Sequence, residues 1–259
     1  KVTETNSCFA SLLTPQGKYL YDFIIIKHKN GYFLDCEKKN IEGLLKQLNL
    51  YKLRSKVEIL NLSNEFVVAS ISKEKFLELS GSKDKTGHTV NFYHDPIFLD
   101  PRTSELGARL IINLEKLYLS LKKLKLKSSN IDEYYQHSHN LGIPPKETQQ
   151  LQNKIFGIEC NFDKLNGIDF KKGCYVGQEN TARINLKDKL NKRLFAINVV
   201  EGTFNDGDTI TFEKKEIGKI VINNKFSYAI LKYKEKIFNY ESEFVCGNAK
   251  IKIIKPIWL

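Results

Sequence analysis

Residues 171–179 of the chain read KKGCYVGQE, a stretch with two glycines, one thiol, one acid, one amide and two lysines. Packing alone does not require such a mixture of side chains. Glycine permits tight turns and a close approach of the backbone to a ligand, and neighbouring cations favour the thiolate of Cys174. The stretch therefore predicts a functional loop in which Cys174 is the candidate catalytic residue.

The bulk composition is ordinary for a globular protein. With 259 residues, 41% hydrophobic and 27% charged, the chain is long enough for one large domain or two to three small ones. It lacks an apolar run of about eighteen residues, so neither a membrane span nor a membrane partner is expected. The first twenty residues lack the apolar core of a signal peptide. We therefore expect a cytoplasmic protein, with an organelle matrix as the alternative.

The cysteines and the net charge limit the kinds of metal site and partner that the chain can have. Five cysteines at positions 8, 36, 160, 174 and 246 predict no disulfide framework. Because no CxxC pair occurs, no self-contained zinc or cluster site is expected, and no metal ligands are assigned. The net charge of +11 indicates an anionic partner such as RNA or a polyanionic small ligand. The alternative is a genome that encodes lysine freely.

Hydrophobic periodicity predicts an α+β region followed by an all-β domain. Residues 18–27 with 32–36, and 57–62 with 66–71, are predicted as hairpins. Residues 40–50 and 131–141 have the apolar spacing and end signals of helices. The small barrel is predicted from short β-rich runs at residues 194–200, 209–212, 216–222, 226–233 and 249–254. Hairpins with helices between them favour α+β over a doubly wound sheet. We place the domain boundary between residues 1–190 and 191–259, within a charged linker at 185–192.

The segment 113–127 is predicted as a basic amphipathic helix. Its apolar face carries Leu114, Leu117, Tyr118, Leu121 and Leu124, and its lysines lie opposite. Such a helix could bind phosphates, or its lysines could simply form a solvated face. The spacing does not decide between these two interpretations.

Residues 172–179 resemble the signature of the YgfZ family, the folate-binding proteins of iron–sulfur cluster maintenance. The resemblance continues in order over essentially the whole chain. Its other matching segments are Leu13-Thr14-Pro15-Gln16-Gly17-Lys18 with Tyr21-Asp22-Phe23, Tyr51-Lys52-Leu53-Arg54, Asp100-Pro101-Arg102 with Leu106-Gly107, Gly142-Ile143-Pro144, and residues 161–170.

The resemblance implies the fold of the aminomethyltransferase (T-protein) of the glycine cleavage system. That fold has three subdomains around a central folate channel, and the last subdomain is a β-barrel. The family usually begins with further residues before the Leu13-Thr14-Pro15 block, and the chain contains no methionine. We therefore expect that N-terminal residues are missing or that methionines were omitted.

The resemblance also implies a function and partners. It implies binding of tetrahydrofolate or a related reduced folate. The implied role is assembly or repair of iron–sulfur clusters in selected enzymes, including enzymes that modify tRNA. The expected partners are iron–sulfur client or assembly proteins, and the expected link to tRNA is indirect.

The resemblance makes Cys174 the key residue. Cys174 could supply a transient cluster ligand together with a partner, react covalently, or relay redox chemistry, since one cysteine cannot hold a cluster alone. Gln178 and Glu179 could contact a ligand, or could equally cap a helix and complement its dipole. The candidate ligand-binding residues of the loop are Lys172, Gly173, Tyr175, Gln178 and Glu179.

A folate has an aromatic pterin, an aminobenzoate and an anionic glutamate tail, so its site needs a stacking aromatic, a polar partner and cations. The resemblance implies that Tyr134 or Tyr135 is the stacking residue, because the family can carry a ligand-contacting aromatic about two helical turns before Gly142-Ile143-Pro144. The alternative is an aromatic side chain packed in the core. Asp22 falls where the aminomethyltransferase fold tends to place an acid near the folate. It could assist proton transfer, or be an ordinary acid at a strand end.

Three classes of function compete. The first is the folate-binding accessory factor, and the second is a tetrahydrofolate-dependent aminomethyl or one-carbon transferase. The thiol motif argues against the second, because aminomethyltransferases do not need that cysteine. The third is an RNA-binding module, which rests on charge alone and predicts a steep salt dependence of binding.

Overall fold

The computed structural model describes residues 1–92, 94–186, 190–234 and 238–259. They form two compact units. The first contains Lys1–Ala10 and Tyr21–Ile131, and the second contains Ser11–Leu20 and Asp132–Leu259. The sequence predicted a domain boundary between residues 190 and 191. Neither unit begins or ends there, and that boundary stays a prediction. Part of the predicted linker, residues 187–189, lies outside the described residues.

A three-stranded sheet begins the chain, in the order β1-β2-β3. Its strands are β1 (Cys8–Leu13), β2 (Tyr19–His28) and β3 (Gly31–Asp35). The predicted hairpin of β2 and β3 is confirmed, since the two strands pair antiparallel up to His28 and Gly31. Helix α1 (Ile41–Lys52) follows where the apolar spacing predicted it.

The first unit contains a four-stranded antiparallel sheet. Along the chain it contains β4 (Phe66–Ile71), helix α2 (Lys73–Leu77), β5 (Thr89–Phe92), β6 (Asp95–Leu99) and β7 (Ala108–Asn113), with the strands in the order β4-β7-β6-β5. The predicted hairpin of residues 57–62 and 66–71 is wrong. Residues 57–62 form no strand, and β4 pairs instead with β7. Periodicity cannot reveal a partner forty residues away in the chain.

The remaining helices are α3 (Leu117–Lys123), α4 (Ile131–Asn140) and α5 (Gln178–Leu186). Before α3, residues 114–116 form a 3-10 turn. A 3-10 turn has about three residues per turn instead of 3.6 and therefore changes the phase of the face that follows. Leu114 and Tyr118, predicted on the apolar face, are exposed as a result, whereas Leu124 is buried.

The second unit ends in a closed six-stranded barrel, which confirms the predicted β-barrel. Its strands are β8 (Lys192–Glu201), β9 (Thr209–Phe212), β10 (Lys215–Ile222), β11 (Tyr228–Lys232), β12 (Glu243–Cys246) and β13 (Ala249–Ile253), in the order β10-β11-β8-β13-β12-β9. The sequence patterns missed only β12. Alternate residues of each strand point inward, and Phe195, Ile210, Ile220, Phe244 and Ile251 pack in the barrel core. Within the described ranges, no helix has the length and apolarity needed to cross a membrane.

Candidate functional site

The loop of residues 171–177 is anchored at its C-terminal end by contact with the turn at residues 14–17. Gly177 has φ +82°, and a Cβ atom there would lie 2.5 Å from the Thr14 carbonyl oxygen and 2.9 Å from the Gly17 Cα. No side chain fits at that distance, so glycine is required at position 177. The Asn180 amide also donates to the Gln16 carbonyl at 3.0 Å, which fixes the start of α5 to the same turn.

The first glycine of the loop has different surroundings. A Cβ atom at Gly173 would meet nothing within 4 Å, and its φ lies outside the left-handed region. Packing therefore explains the glycine at position 177 but not the one at position 173. An open backbone beside Cys174 leaves room for another molecule to approach the thiol closely.

Cys174 is the exposed cysteine of the chain. All five cysteines lie in the described part of the structure and carry unbridged thiols; Cys160 and Cys246 are buried, and Cys8 and Cys36 are half-buried. Burial, with Asp35 and Asp22 nearby, raises the pKa of Cys36 to about 12. Burial and Asp208 raise the pKa of Cys246 to about 11. The thiolate, not the thiol, binds metal and attacks electrophiles, so the Cys36 and Cys246 thiols are unsuited to that chemistry.

Tyr175 is half-buried, whereas residues 171–174 of the loop are exposed. Its hydroxyl is buried without a hydrogen-bond partner among the described residues, and the Lys172 ammonium lies 4.9 Å from its ring centroid. Burial raises the pKa of the Tyr175 hydroxyl, and Asp169 adds to the effect. The Lys171 N–H donates to Asp169 at 2.8 Å, which shapes the turn before the thiol. Lys172 is thus engaged with an aromatic ring beside the cysteine.

Gln178 and Glu179 lie in the first turn of α5. The Gln178 N–H donates to the Tyr175 carbonyl at 3.1 Å. Glu179 pairs with Arg183 at 2.7 Å, four residues along the helix, and both side chains are exposed. These contacts support the start of the helix. An exposed pair of this kind contributes little to stability.

An aromatic and cationic cluster lies between α4 and the barrel. The Tyr135 ring contacts Phe226 at 5.9 Å between centroids and Tyr134 at 6.1 Å. The Lys146 ammonium lies 5.2 Å from the Tyr135 ring and 5.4 Å from the Phe226 ring. Both tyrosines are half-buried. The sequence indicated the two tyrosines but not Phe226 and Lys146, because only the fold brings the residues before β11 and the region of residue 146 to α4.

His139 lies under the same cluster and was missed as a candidate. It is 2% exposed, and its Nε2 is 3.2 Å from the Ser227 carbonyl, which makes Nε2 the protonated nitrogen. Its Nδ1 is a buried acceptor without a partner among the described residues. Burial lowers the pKa of His139, and the bond to Ser227 partly opposes that effect. Its signal in the sequence was a histidine on the inner face of α4.

Asp22 is in the first unit, half-buried on β2. Its negative charge contributes to the raised pKa of the Cys36 thiol, so the two side chains lie near each other. The loop of Cys174, Tyr134 and Tyr135 belong to the second unit. The role expected for Asp22 in proton transfer stays a prediction.

The Asp100-Pro101-Arg102 motif is a structural network in the first unit. The Arg102 guanidinium pairs with the Asp100 carboxylate at 2.7 Å. Arg109 pairs with two carboxylates, that of Asp100 at 3.1 Å and that of Asp35 at 2.6 Å. Burial of Asp100 acts to raise the pKa of its carboxyl, but the Arg102 and Arg109 cations outweigh it and hold that pKa below the usual value. This motif of the resemblance therefore serves the fold.

The described residues contain no group of three or more His, Cys, Asp or Glu side chains arranged to hold a metal ion. A single exposed thiolate supplies one ligand, whereas iron–sulfur clusters are held by about four. Any cluster that met Cys174 would therefore take its other ligands from a second molecule.

A comparison with solved structures identifies the fold. The crystal structure of the glycine cleavage system aminomethyltransferase T from Bartonella henselae matches with a TM-score of 0.74, covering 100% of this chain and 77% of that chain at 11% identity. The chain has the aminomethyltransferase fold. This confirms the fold class predicted from the sequence, with its C-terminal barrel. At 11% identity the likeness shows the fold alone.

Curated relatives carry a consistent name. The iron–sulfur cluster assembly factor IBA57 homolog, mitochondrial, of Dictyostelium discoideum is 28% identical over 214 residues, covering 74% of this chain and 52% of the relative. The human factor of the same name is 28% identical over 222 residues, covering 82% and 60%. The chain spans about half the length of the curated relatives it matches. No family model matches the chain.

These names bear on two expectations from the sequence. An accessory role in iron–sulfur cluster assembly agrees with the relatives' names. The expected cytoplasmic location is wrong, because relatives from Dictyostelium, human and mouse are all named mitochondrial. The physical reason for the error is that unbridged cysteines and the lack of an apolar signal core fit either location. The YgfZ label itself stays a prediction.

Proposed function

We propose that the protein is a folate-binding accessory factor for the assembly or repair of iron–sulfur clusters, with Cys174 as its working group. One observation carries the proposal: Cys174 is the exposed thiol among five, on a loop anchored by Gly177. The relatives' names, which describe iron–sulfur cluster assembly factors, supply the context. Clients that modify tRNA remain part of the proposal.

The cluster is cargo in this proposal. The Cys174 thiolate provides one ligand, and the partner protein provides the rest. Gly173 leaves the approach to the thiol open, and the ammonium of Lys172 lies 4.9 Å from the ring centroid of Tyr175, the residue that follows Cys174. The loop is therefore suited to the temporary binding of a cluster whose other ligands come from a partner protein.

The residues around α4 fit a reduced folate. Tyr134 and Tyr135 offer half-buried rings for stacking, and the Lys146 cation beside them suits an anionic glutamate tail. The unpartnered Nδ1 of His139 is a buried acceptor beneath the same cluster. A bound folate supplies a flat heterocycle and a one-carbon carrier; the protein residues bind and orient it.

Replacement of Cys174 by serine tests the proposal. We expect the C174S variant to fold normally and to lose all rescue of iron–sulfur enzyme activity in cells that lack the native gene. The expected cause is loss of the cluster ligand, since serine is a poor substitute for a thiolate. The measurement is the activity of iron–sulfur enzymes in extracts, at matched levels of the variant.

The C8S variant is the matched control, because Cys8 is half-buried and outside the loop. It should rescue like the unmodified protein. Full rescue by C174S would remove the thiol from the function. Loss of rescue by both variants would indicate a general effect on folding, which circular dichroism would reveal.

A further inference from the structure

Two exposed stretches of the first unit carry most of the net charge of the protein. Residues 50–60 hold three cations and one acid, and residues 114–127 hold five lysines and one acid. Together these 25 residues have a net charge of +6, against +11 for the whole chain. Free use of lysine by a genome would spread the charge evenly. The positive charge is instead concentrated in these two stretches, which indicates an anionic partner.

The same stretches expose large apolar side chains. Among the described residues, twenty large apolar side chains are exposed, and eight of them lie here: Leu50, Tyr51, Leu53, Val57, Leu60, Leu114, Tyr118 and Leu119. The second stretch begins at one end of the pairing of β4 with β7, where the Leu114 N–H donates to the Glu65 carbonyl at 2.8 Å, and the first stretch ends five residues before Glu65. Clustered apolar exposure of this kind marks an interaction surface.

Helix α3 shows how the surface is built. Its inner face is attached to the core, since Leu117 packs against the cluster that contains buried Leu124. On its outer face Tyr118 is 74% and Leu119 57% exposed. Lys122 and Lys123 follow each of them by four residues, so they lie on the same outer face. An outward apolar pair is thus followed by a pair of cations.

We infer that this outer face, with its neighbouring exposed residues, docks on the surface of an anionic phospholipid bilayer. Leucine and tyrosine side chains enter the interface between headgroups and acyl chains, while lysines bind the anionic headgroups. Exposed leucines do not serve phosphate-backbone binding to RNA, which uses stacking aromatics and cations. Lysine is depleted in protein–protein interfaces, where arginine is enriched, and all five cations of the 114–127 stretch are lysines.

The contact is peripheral and needs no spanning helix. Stable attachment takes two signals, such as an apolar insertion and a polybasic patch, and this surface has both. Each lysine near an anionic bilayer contributes about a fivefold gain in affinity. The attachment should therefore weaken as salt rises, because the attraction is screened within about 10 Å.

The test is sedimentation of the protein with vesicles. We expect binding to vesicles of phosphatidylcholine with about one third phosphatidylglycerol, and little binding to pure phosphatidylcholine. The double variant K122E/K123E should lose at least about tenfold in affinity. The matched control is K214E/K215E, which makes the same charge change at exposed lysines of the barrel and should bind like the unmodified protein. Loss of the apolar pair in Y118A/L119A should also weaken binding.

Several outcomes would overturn the inference. Equal binding to both vesicle types would exclude a contact between the lysines and anionic headgroups. Equal losses from both lysine pairs would leave only an unspecific effect of net charge. Absence of vesicle binding, with binding of single-stranded RNA that K122E/K123E abolishes, would assign the surface to nucleic acid. Self-association that Y118A/L119A removes, without vesicle binding, would assign it to a second copy of the chain.

Discussion

Gly173 and Gly177 flank the candidate thiol in opposite environments. The backbone at Gly177 touches the turn at Thr14, and its φ of +82° is one that side chains rarely adopt. Gly173 has open space around its Cα. The second glycine therefore holds the loop in place, whereas the first keeps the thiol accessible. The two positions separate a structural requirement from a functional one within five residues.

Substitution by alanine should distinguish the two glycines. We expect Gly177→Ala to lower the free energy of unfolding by about 2–4 kcal/mol, from left-handed strain and overlap with the Thr14 carbonyl. Gly173→Ala should change it by no more than about 0.5 kcal/mol. Urea unfolding of both variants is the measurement. A Gly177→Ala protein as stable as the unmodified one would refute the described packing of the loop.

At the scale of elements, α4 is joined to the barrel through buried His139. Its Nε2–H donates to the Ser227 carbonyl, and its ring meets Tyr228 edge-on at 5.3 Å. Burial lowers the pKa of His139 below the ordinary value of 6.5. The unfolded chain therefore takes up a proton at a pH at which the folded protein does not, and acid destabilises this contact.

Because burial lowers the pKa of His139, the stability of the protein should depend on pH. The contribution of neutral His139 is complete above the ordinary value of 6.5 and is lost as the pH falls below it. We expect the urea midpoint to fall between about pH 7.5 and pH 5.5, and to fall less in His139→Gln. His137 is exposed on the same helix, so His137→Gln should keep the full dependence. An unchanged dependence in His139→Gln would contradict the burial of the ring. Part of the fall should remain, since burial and Lys29 also lower the pKa of His28.

The elements that the sequence predicted are those with strong local patterns. Helices α1 and α4, the hairpin of β2 and β3, and most barrel strands have periodicities that neighbours along the chain suffice to define. The pairing of β4 with β7 depends on contacts distant in sequence, which periodicity does not contain. The apolar face of α3 was misassigned because the preceding 3-10 turn shifts its phase.

One part of the candidate site could be predicted from the sequence, and another part is assembled only by the fold. The loop around Cys174 is contiguous, so its unusual composition was visible in the sequence. The cluster of Tyr135 with Phe226 and Lys146 joins three separate parts of the chain, and only one of them could be named. A buried histidine such as His139 shows its unpartnered Nδ1 only when its neighbours are known.

At the scale of the whole molecule, an aminomethyltransferase fold carries an exposed thiol, that of Cys174. The fold match covers all of the chain, whereas the relatives' names speak of iron–sulfur cluster assembly. In the proposed function, a folate site in this fold serves a thiol that meets iron–sulfur clusters. The claim that this chain binds a reduced folate is therefore central, and it can be measured directly.

The decisive measurement is calorimetric titration of the full-length protein with tetrahydrofolate under anaerobic, reducing conditions. We predict saturable binding of one folate per chain with a dissociation constant of about 1 μM, or about −8 kcal/mol. Tyr134→Ala should weaken it by more than about 1 kcal/mol through loss of stacking, whereas Tyr118→Ala and Cys174→Ser should leave it unchanged. Absence of binding by the folded protein would contradict the folate-dependent account, and equal binding by Tyr134→Ala would remove α4 from the site.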